Sequence, residues 1–222
     1  MSHSRSFISS EGVMLVLSSP SGAGKTTISN ILVEREKKLV RSISVTTRKR
    51  RPNEIEGRDY FFLEKEEEFL NLCNSNQMLE YARVFGNYYG IPRAFVQEKL
   101  EEGISVLFAI DWQGAYQLMQ NMAEHVVSVF IMPPSIAELE KRLHLRGDES
   151  VEIINRRLDE AAFEMSHCYE YDYIIVNESI EESVKQVQSI LLAEKLRTKR
   201  CKELSKFIEQ MNVERSANVV HK

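Results

Sequence analysis

Ser19-Pro20-Ser21-Gly22-Ala23-Gly24-Lys25-Thr26 sets two glycines, a lysine and a hydroxyl in one short loop. The chemistry such a loop serves is the holding of a phosphate chain. Phosphate oxygens need backbone N–H groups aimed at them with no side chain in the way, and Gly22 and Gly24 permit the backbone angles and the close approach. Lys25 is placed to reach the β- and γ-phosphates, and the Thr26 hydroxyl to ligate Mg2+. The usual pattern opens on glycine, whereas this chain has Ser19. The turn leaving the preceding strand must therefore be one that a residue with a Cβ can make. An ordinary Gly/Ser turn ahead of a helix is the blander reading. Its context weighs against it: the apolar run Val13 to Leu17 precedes the loop, and a helical pattern at Ile28, Ile31 and Leu32 follows it. A strand that delivers phosphates to a helix N-terminus uses the orphan N–H donors and the positive end of the helix dipole.

A phosphate loop alone leaves the acceptor open. Phosphoryl transfer asks for in-line positioning and for cations around the migrating group, with little covalent help from the protein. Arginine suits the task because its planar fork stays charged and donates bidentately to phosphate oxygens. Arg142 and Arg146 are four apart and share a helix face, Arg157 lies on the next helical stretch, and Gly147 between them permits a hinge. A lid that brings cations over the nucleotide and shuts out water follows. For any one of these arginines a solvated face balanced by Glu138, Glu140, Glu149 and Glu152 competes with that reading. For the set, after a phosphate loop, the lid is the better reading.

The elements that must position these groups read as one α/β unit. The chain has 222 residues, 28% charged and 43% hydrophobic, which is enough for one sizeable domain with insertions and too little for two large ones. Ile104 to Ile110 and Val126 to Met132 are nearly continuous apolar runs, the pattern of strands buried on both faces, and Tyr171 to Val176 reads as a further buried strand. Leu39 to Thr47 reads as one short strand. The stretch 43–102 has strand-like runs around Tyr60-Phe61-Phe62 and Met78 to Phe85, with an acidic helix at Glu64 to Asn74 and a second at Arg93 to Glu102. Ser135 with Glu138, and Ser179 with Glu182, have the spacing of capping boxes that open helices. Strands alternating with helices imply a parallel sheet. Beyond Lys195 a helical extension fraying into a disordered tail is expected.

The net charge of −4 argues against a mainly electrostatic nucleic-acid partner. No apolar run approaches a membrane span, and the serine-rich opening lacks the apolar core of a secretory signal. Cys73, Cys168 and Cys201 are odd in number without metal-like spacing, so a reducing cytoplasm is the simplest location. His167-Cys168, Trp112 and Phe61-Phe62 read as packing residues.

The ordered motifs carry a more specific likeness. Ser19 to Thr26, Thr46-Thr47-Arg48 followed by Arg51-Pro52, Gly57-Arg58-Asp59-Tyr60, Gly86-Asn87-Tyr88-Tyr89-Gly90 and Ile110-Asp111-Trp112-Gln113-Gly114 occur in the order seen in guanylate kinases. Pro133-Pro134-Ser135, Arg142 to Gly147, Asn155-Arg156-Arg157-Leu158 and Ile175-Val176-Asn177 continue the match, so from about Gly12 to Lys195 the chain resembles that family. The resemblance implies a P-loop parallel sheet flanked by helices, with a small mixed α+β GMP-binding insertion and a helical lid. It divides the chain into a core (12–42, 103–134 and 168–195), the insertion (43–102), an arginine-rich lid (135–167) and a C-terminal extension (196–222). It implies Mg2+-dependent transfer of the ATP γ-phosphoryl group to GMP, with dGMP a further acceptor to consider and the oligomeric state open.

By the same resemblance, ATP is held by Ser19, Pro20, Ser21, Gly22, Ala23, Gly24, Lys25, Thr26, Thr27 and Asn177, with Thr26 the metal ligand. Lys25, Arg48, Arg142, Arg146 and Arg157 are the expected catalytic residues. Arg48, Arg51, Tyr60 and Tyr89 would hold the GMP phosphate, with Ser44, Glu80 and Asp111 around the guanine and its approach. Guanine presents N1–H and its amino group side by side, and an ionised Glu80 can accept both, whereas adenine has an acceptor at N1. Two positions depart from the pattern. Ile91 stands where the family has serine or threonine reading the base, and Ala109 where it has an acidic residue two before Asp111. Two other readings stay open: a kinase of another small phosphorylated acceptor such as a ribose phosphate, and a binding module for phosphorylated protein. The retained Lys25, Arg142, Arg146 and Arg157 count against the module.

Overall fold

The structure is a computed structural model that describes residues 9–84, 86–145 and 151–220. Arg146 and Gly147, assigned above to the lid and its hinge, lie outside the described residues. The chain opens with β1 (Ser9–Ser10), β2 (Met14–Ser18), α1 (Lys25–Arg35), β3 (Leu39–Arg41), β4 (Val45–Thr46) and β5 (Phe61–Phe62). It continues with α2 (Glu66–Asn74), β6 (Met78–Val84), β7 (Asn87–Pro92), α3 (Arg93–Glu101), β8 (Ser105–Ala109) and α4 (Trp112–Met122). Then come β9 (Val126–Met132), α5 (Ile136–His144), α6 (Val151–Ser166), β10 (Tyr173–Val176), α7 (Ile180–Lys195), β11 (Cys201–Lys202) and α8 (Leu204–Val220).

Five strands form the main sheet in the order β10-β9-β2-β8-β3, all parallel. Its side chains alternate between two cores, as the period of two along a strand requires. Val13, Leu15 and Leu17 face Ile28 and Leu32 of α1 and Val184, Val187 and Leu191 of α7. Met14 and Val16 face the other way, onto Val96 and Leu100 of α3 and Ala115 and Leu118 of α4. The sheet is thus sandwiched between helices, and both of its central faces are dry.

A second sheet, β5-β4-β7-β6, is built from residues between β3 and α3. β6 and β7 form an antiparallel hairpin, and Phe69 of α2 closes a small core with Val45 and Met78. Leu79 and Ile91 point out of this sheet into the α3/α4 core, which seats the insertion on the main body.

Three expectations are corrected. Leu39 to Thr47 is two strands rather than one: β3 pairs with β8, the chain crosses at 42–44, and β4 joins the second sheet. A continuous alternation cannot reveal that its two halves have different partners. The run Tyr171 to Val176 is an edge strand with Ile174 49% and Val176 50% exposed, because only β9 flanks it. Ser179 does cap the start of α7 by position, but its side chain makes no capping bond. Glu181 and Glu182 in the first turn answer the helix dipole instead, and Arg35 grips Glu181 at 2.8 and 2.9 Å. In contrast, Ser135 accepts from Glu138 N–H at 3.1 Å as expected.

The C-terminal segment is more than a fraying helix. β11 pairs antiparallel with β1, Glu11 N–H donates to Arg200 O at 2.9 Å, and buried Arg200 lies 3.8 Å from the buried Glu194 carboxylate. No helix of the described residues is long and apolar enough to cross a membrane.

Candidate active site

The candidate site residues gather where parallel strands end. β2 is followed by the phosphate loop, β3 by Ser44, β8 by Asp111, β9 by the start of α5, and β10 by Asn177. From β2 the chain moves through α1 to one side of the sheet, and from β8 through α4 to the other. Ligands of open α/β sheets sit in the crevice that such a reversal opens at the carboxyl ends.

The phosphate loop has the backbone its sequence requires. Gly22 and Gly24 have φ of +92° and +104°, and Ser19 is not among the residues with positive φ. The serine therefore carries no left-handed strain, which answers the question its identity raised. A Cβ on Gly22 would stand 2.9 Å from Leu139 Cδ1, and one on Gly24 2.4 Å from Asn177 Nδ2. Helix α5 packs on the loop from one side and Asn177 from beneath. Asn177 is 1% exposed; its Nδ2 donates to Ala23 O at 2.7 Å and its Oδ1 accepts from the Ser183 hydroxyl at 3.0 Å. Its amide is thus spent on the loop and the helix behind it, away from the cavity wall.

The loop walls a cavity of about 250 Å³ together with Asp111 and Glu164. Thr26 and Thr27 are exposed at its side, and Pro20 O accepts from Ala23 N–H at 3.2 Å inside the turn. Lys25 Nζ donates to Ile110 O at 2.8 Å. Burial pulls the Lys25 ammonium below its ordinary pKa, opposed by the charges of Asp111 and Glu164. Glu164 shares the cavity wall with Ser21, whose N–H favours its charged form, so a carboxylate on α6 sits beside the donors a phosphate would use. Burial raises its pKa, with Lys25 and Ser21 pulling the other way. Glu164 was not foreseen; it stands two helical turns after Arg157, a spacing that puts the two on one face. Arg142 donates from Nε to Glu138 Oε1 at 2.9 Å and from Nη2 to Asn177 O at 3.3 Å, which holds α5 against the loop.

A second cleft, of about 620 Å³, opens between the two sheets beside Ser44, Tyr60, Ala109 and Ile110. Arg48 and Tyr89 pack against its lining residue Tyr60. The Arg48 guanidinium carbon lies 5.3 Å from the Tyr60 ring centre, the two tyrosine rings meet edge to face at 5.9 Å, and the Tyr89 side chain, after Glu54, favours the Arg48 charge. Arg51 enters by its backbone: its N–H donates to Glu54 Oε2 at 2.8 Å, while its side chain is exposed. Glu54 Oε1 accepts from Arg48 Nη2 at 2.7 Å. Glu54 is not among the expected site residues, and its carboxylate takes up the Arg48 guanidinium and the Arg51 N–H. Those bonds hold it below the usual carboxylate range.

Glu80 lies on β6 opposite Ile91 in the hairpin register. Burial, with the Asp111 charge adding to it, pushes its carboxyl up to about 7. Asp111 caps α4 by accepting from Gly114 N–H at 3.0 Å. Ile91 is fully buried in the α3/α4 core. His167 and Trp112 stack at 3.7 Å, and Cys168 is buried; Trp112 and Phe61 are packed, not presented as platforms.

Residues 11–194 match the family model described as Guanylate kinase. The guanylate kinase of Ehrlichia chaffeensis is 62% identical over 203 residues, spanning 91% of this chain and 96% of that protein. The guanylate kinase of Nitrobacter winogradskyi is 50% identical over 211 residues, 94% of this chain and 96% of its own. The crystal structure of guanylate kinase from Anaplasma phagocytophilum superposes with a TM-score of 0.70 at 47% identity, over 91% of this chain and 96% of that one. A match that runs through both sheets, the phosphate loop and the α5/α6 pair places this chain in the guanylate kinase family.

Proposed function

We infer that this chain transfers the γ-phosphoryl group of ATP to GMP, giving ADP and GDP, and so serves purine nucleotide metabolism and the recycling of GMP. One observation carries the reading. The carboxyl end of β8 is a wall of both cavities: Asp111 lines the phosphate-loop cavity, and Ala109 and Ile110 line the cleft between the sheets. A donor phosphate in the first and an acceptor phosphate in the second would approach each other across one strand end, as in-line transfer requires.

In this reading Lys25 leaves Ile110 O for the β/γ-phosphates, and the N–H groups of 21–26 cradle them. Arg48, Arg51, Tyr60 and Tyr89 fix the acceptor phosphate once Glu54 gives way, and Ser44, Glu80 and Asp111 surround the base and its approach. Arg142, Arg146 and Arg157 gather on the migrating group as 135–167 closes on the core and 43–102 closes from the other side. Asn177 belongs to the ATP-binding set and supports the loop through its bond to Ala23 O. No general base is needed, because a GMP phosphate oxygen is already anionic. Thr26, with Asp111 and Glu164 on the same wall, is an all-oxygen donor set that fits Mg2+. The ion neutralises charge on the β- and γ-oxygens when bound. The three free cysteines suit a reducing cytoplasm.

The test is ADP production from ATP and Mg2+ with GMP, dGMP, AMP, UMP and ribose bisphosphate offered separately, with Lys25→Ala as the blank. Turnover with GMP and none with AMP is expected. Turnover only with a different acceptor, or none with any despite GMP binding, overturns the reading.

A further inference from the structure

Every arginine that the sequence placed at the acceptor phosphate has a carboxylate neighbour in this structure or points to solvent. Arg48 is 2.7 Å from Glu54, and Arg51 is exposed. Arg58, on the same cleft, is 2.8 Å from Asp59. Arg41 differs from all three. It is the last residue of β3, it is half-buried, and it lines the cleft alongside Ser44, Tyr60 and Ala109. Its side-chain partner is neutral: Nη2 donates to Asn30 Oδ1 at 2.7 Å. Among the described residues no carboxylate lies within ion-pair distance of it. Burial accordingly draws its guanidinium below the ordinary arginine pKa, with no nearby charge opposing it.

A guanidinium taken partly out of water without a counter-ion costs free energy unless something anionic arrives to repay it. The strand beside Arg41 could have supplied a counter-ion, since Ala109 closes the same cleft at the end of β8, but alanine has no charge to give. Asn30 lies one helical turn after Thr26 on α1 and orients the fork while leaving its charge whole. The arrangement is a cation held ready at the seam between the two sheets.

We propose that Arg41 is a further acceptor-binding residue, whose guanidinium donates to the phosphate of the acceptor nucleotide in the cleft between the sheets. Asn30 is its positioning residue. The inference rests on the phosphotransferase reading above and deepens it. It also gives Ala109 a role: the missing carboxylate leaves Arg41 free for the substrate.

The experiment compares the full-length chain with Arg41→Gln, Arg41→Lys and Asn30→Asp, by steady-state kinetics, by calorimetric titration with GMP and with guanosine, and by thermal melting. Arg41→Gln is expected to weaken GMP by about ten- to a hundredfold, the worth of a charged hydrogen bond. Guanosine affinity and the KM for ATP stay unchanged, the melting temperature does not fall, and Arg41→Lys recovers much of the loss. Asn30→Asp keeps the guanidinium in place but neutralises it, so it too weakens GMP while the fold holds. Equal losses for GMP and guanosine, a loss in ATP alone, or unchanged GMP binding in Asn30→Asp overturns the proposal. If Arg41→Gln does not fold, Asn30→Asp decides. Wild-type chain without GMP-dependent turnover would instead overturn the reading beneath it.

Discussion

Asn177 donates from Nδ2 to the Ala23 carbonyl oxygen at 2.7 Å, tying the phosphate loop from beneath to the end of the edge strand. The bond is buried and spans most of the chain, and Ser183 completes it. Asn177→Ala would leave the Ala23 carbonyl and the Ser183 hydroxyl without partners in a dry site. We expect a loss of ~1–3 kcal/mol in denaturant unfolding, with a raised KM for ATP. Gly24→Ala attacks the same contact from the other side, through its φ of +104° and the 2.4 Å approach to Nδ2. It should abolish ATP binding in a titration while GMP still binds.

Lys25 is tied to Ile110 O at 2.8 Å, half-buried against the cavity. Its loss should act on the reaction far more than on the fold. Lys25→Ala is expected to lower kcat by ~10²-fold or more, the scale of removing one charged stabiliser of the transition state. A melting curve close to wild type would accompany it; a collapsed fold would count against the assignment.

The proposed contact of Glu80 with guanine predicts that GMP binding depends on pH. With its carboxyl at about 7, it holds a proton at pH 6 and must shed it to accept from guanine. GMP affinity should rise by up to about tenfold per pH unit on the acid side of that value and level off above it. Glu80→Gln should bind GMP weakly with that step gone, as read by calorimetry from pH 5.5 to 8.5. Stability moves the opposite way. The raised pKa means that, from the ordinary 4.5 up to about 7, folded chain keeps a proton that unfolded chain has lost. Stability from this group therefore falls as pH rises through that window, and Glu80→Gln should melt higher than wild type at pH 8.

Glu164 puts a carboxylate beside Ser21 and Lys25, inside the cavity that would receive the ATP phosphates. Without Mg2+, like charges oppose each other there. Glu164→Gln should therefore tighten metal-free ATP several-fold at low salt, with the gain shrinking as ionic strength rises. A weaker metal-free affinity in the variant would show that the carboxylate does not compete for the site.

What the sequence made legible was local. The phosphate loop is a run of adjacent residues whose chemistry does not depend on distant partners, and Val13 to Leu17, Ile104 to Ile110 and Val126 to Met132 are apolar on every residue or nearly so because β2, β8 and β9 lie inside the sheet. The same apolar signal misled at Tyr171 to Val176, since an edge strand with one flank covered has a similar composition. Pairings across the chain left no mark. Nothing near Asn177 announces Ala23, and nothing near Arg41 distinguishes its neutral partner Asn30 from a carboxylate. A lone glutamate on a turn or a helix is common, so Glu54 and Glu164 carry no signal of their own; what marks them is the Arg48 bond of the one and the place of the other on the cavity wall with Ser21.

β1 and β11 meet as an antiparallel ladder, Ser9 opposite Lys202 and Ser10 opposite Cys201. During synthesis the first of these strands leaves the ribosome long before the second exists. Among the described residues the ladder closes the longest loop of any strand pairing, so its closure entropy is the largest of them. Until then Glu11 lacks the Arg200 carbonyl and Glu194 lacks the Arg200 side chain. Pairing β1 with β11 therefore has to wait for residues made after α7, and it ties an early strand of the described chain to a late one.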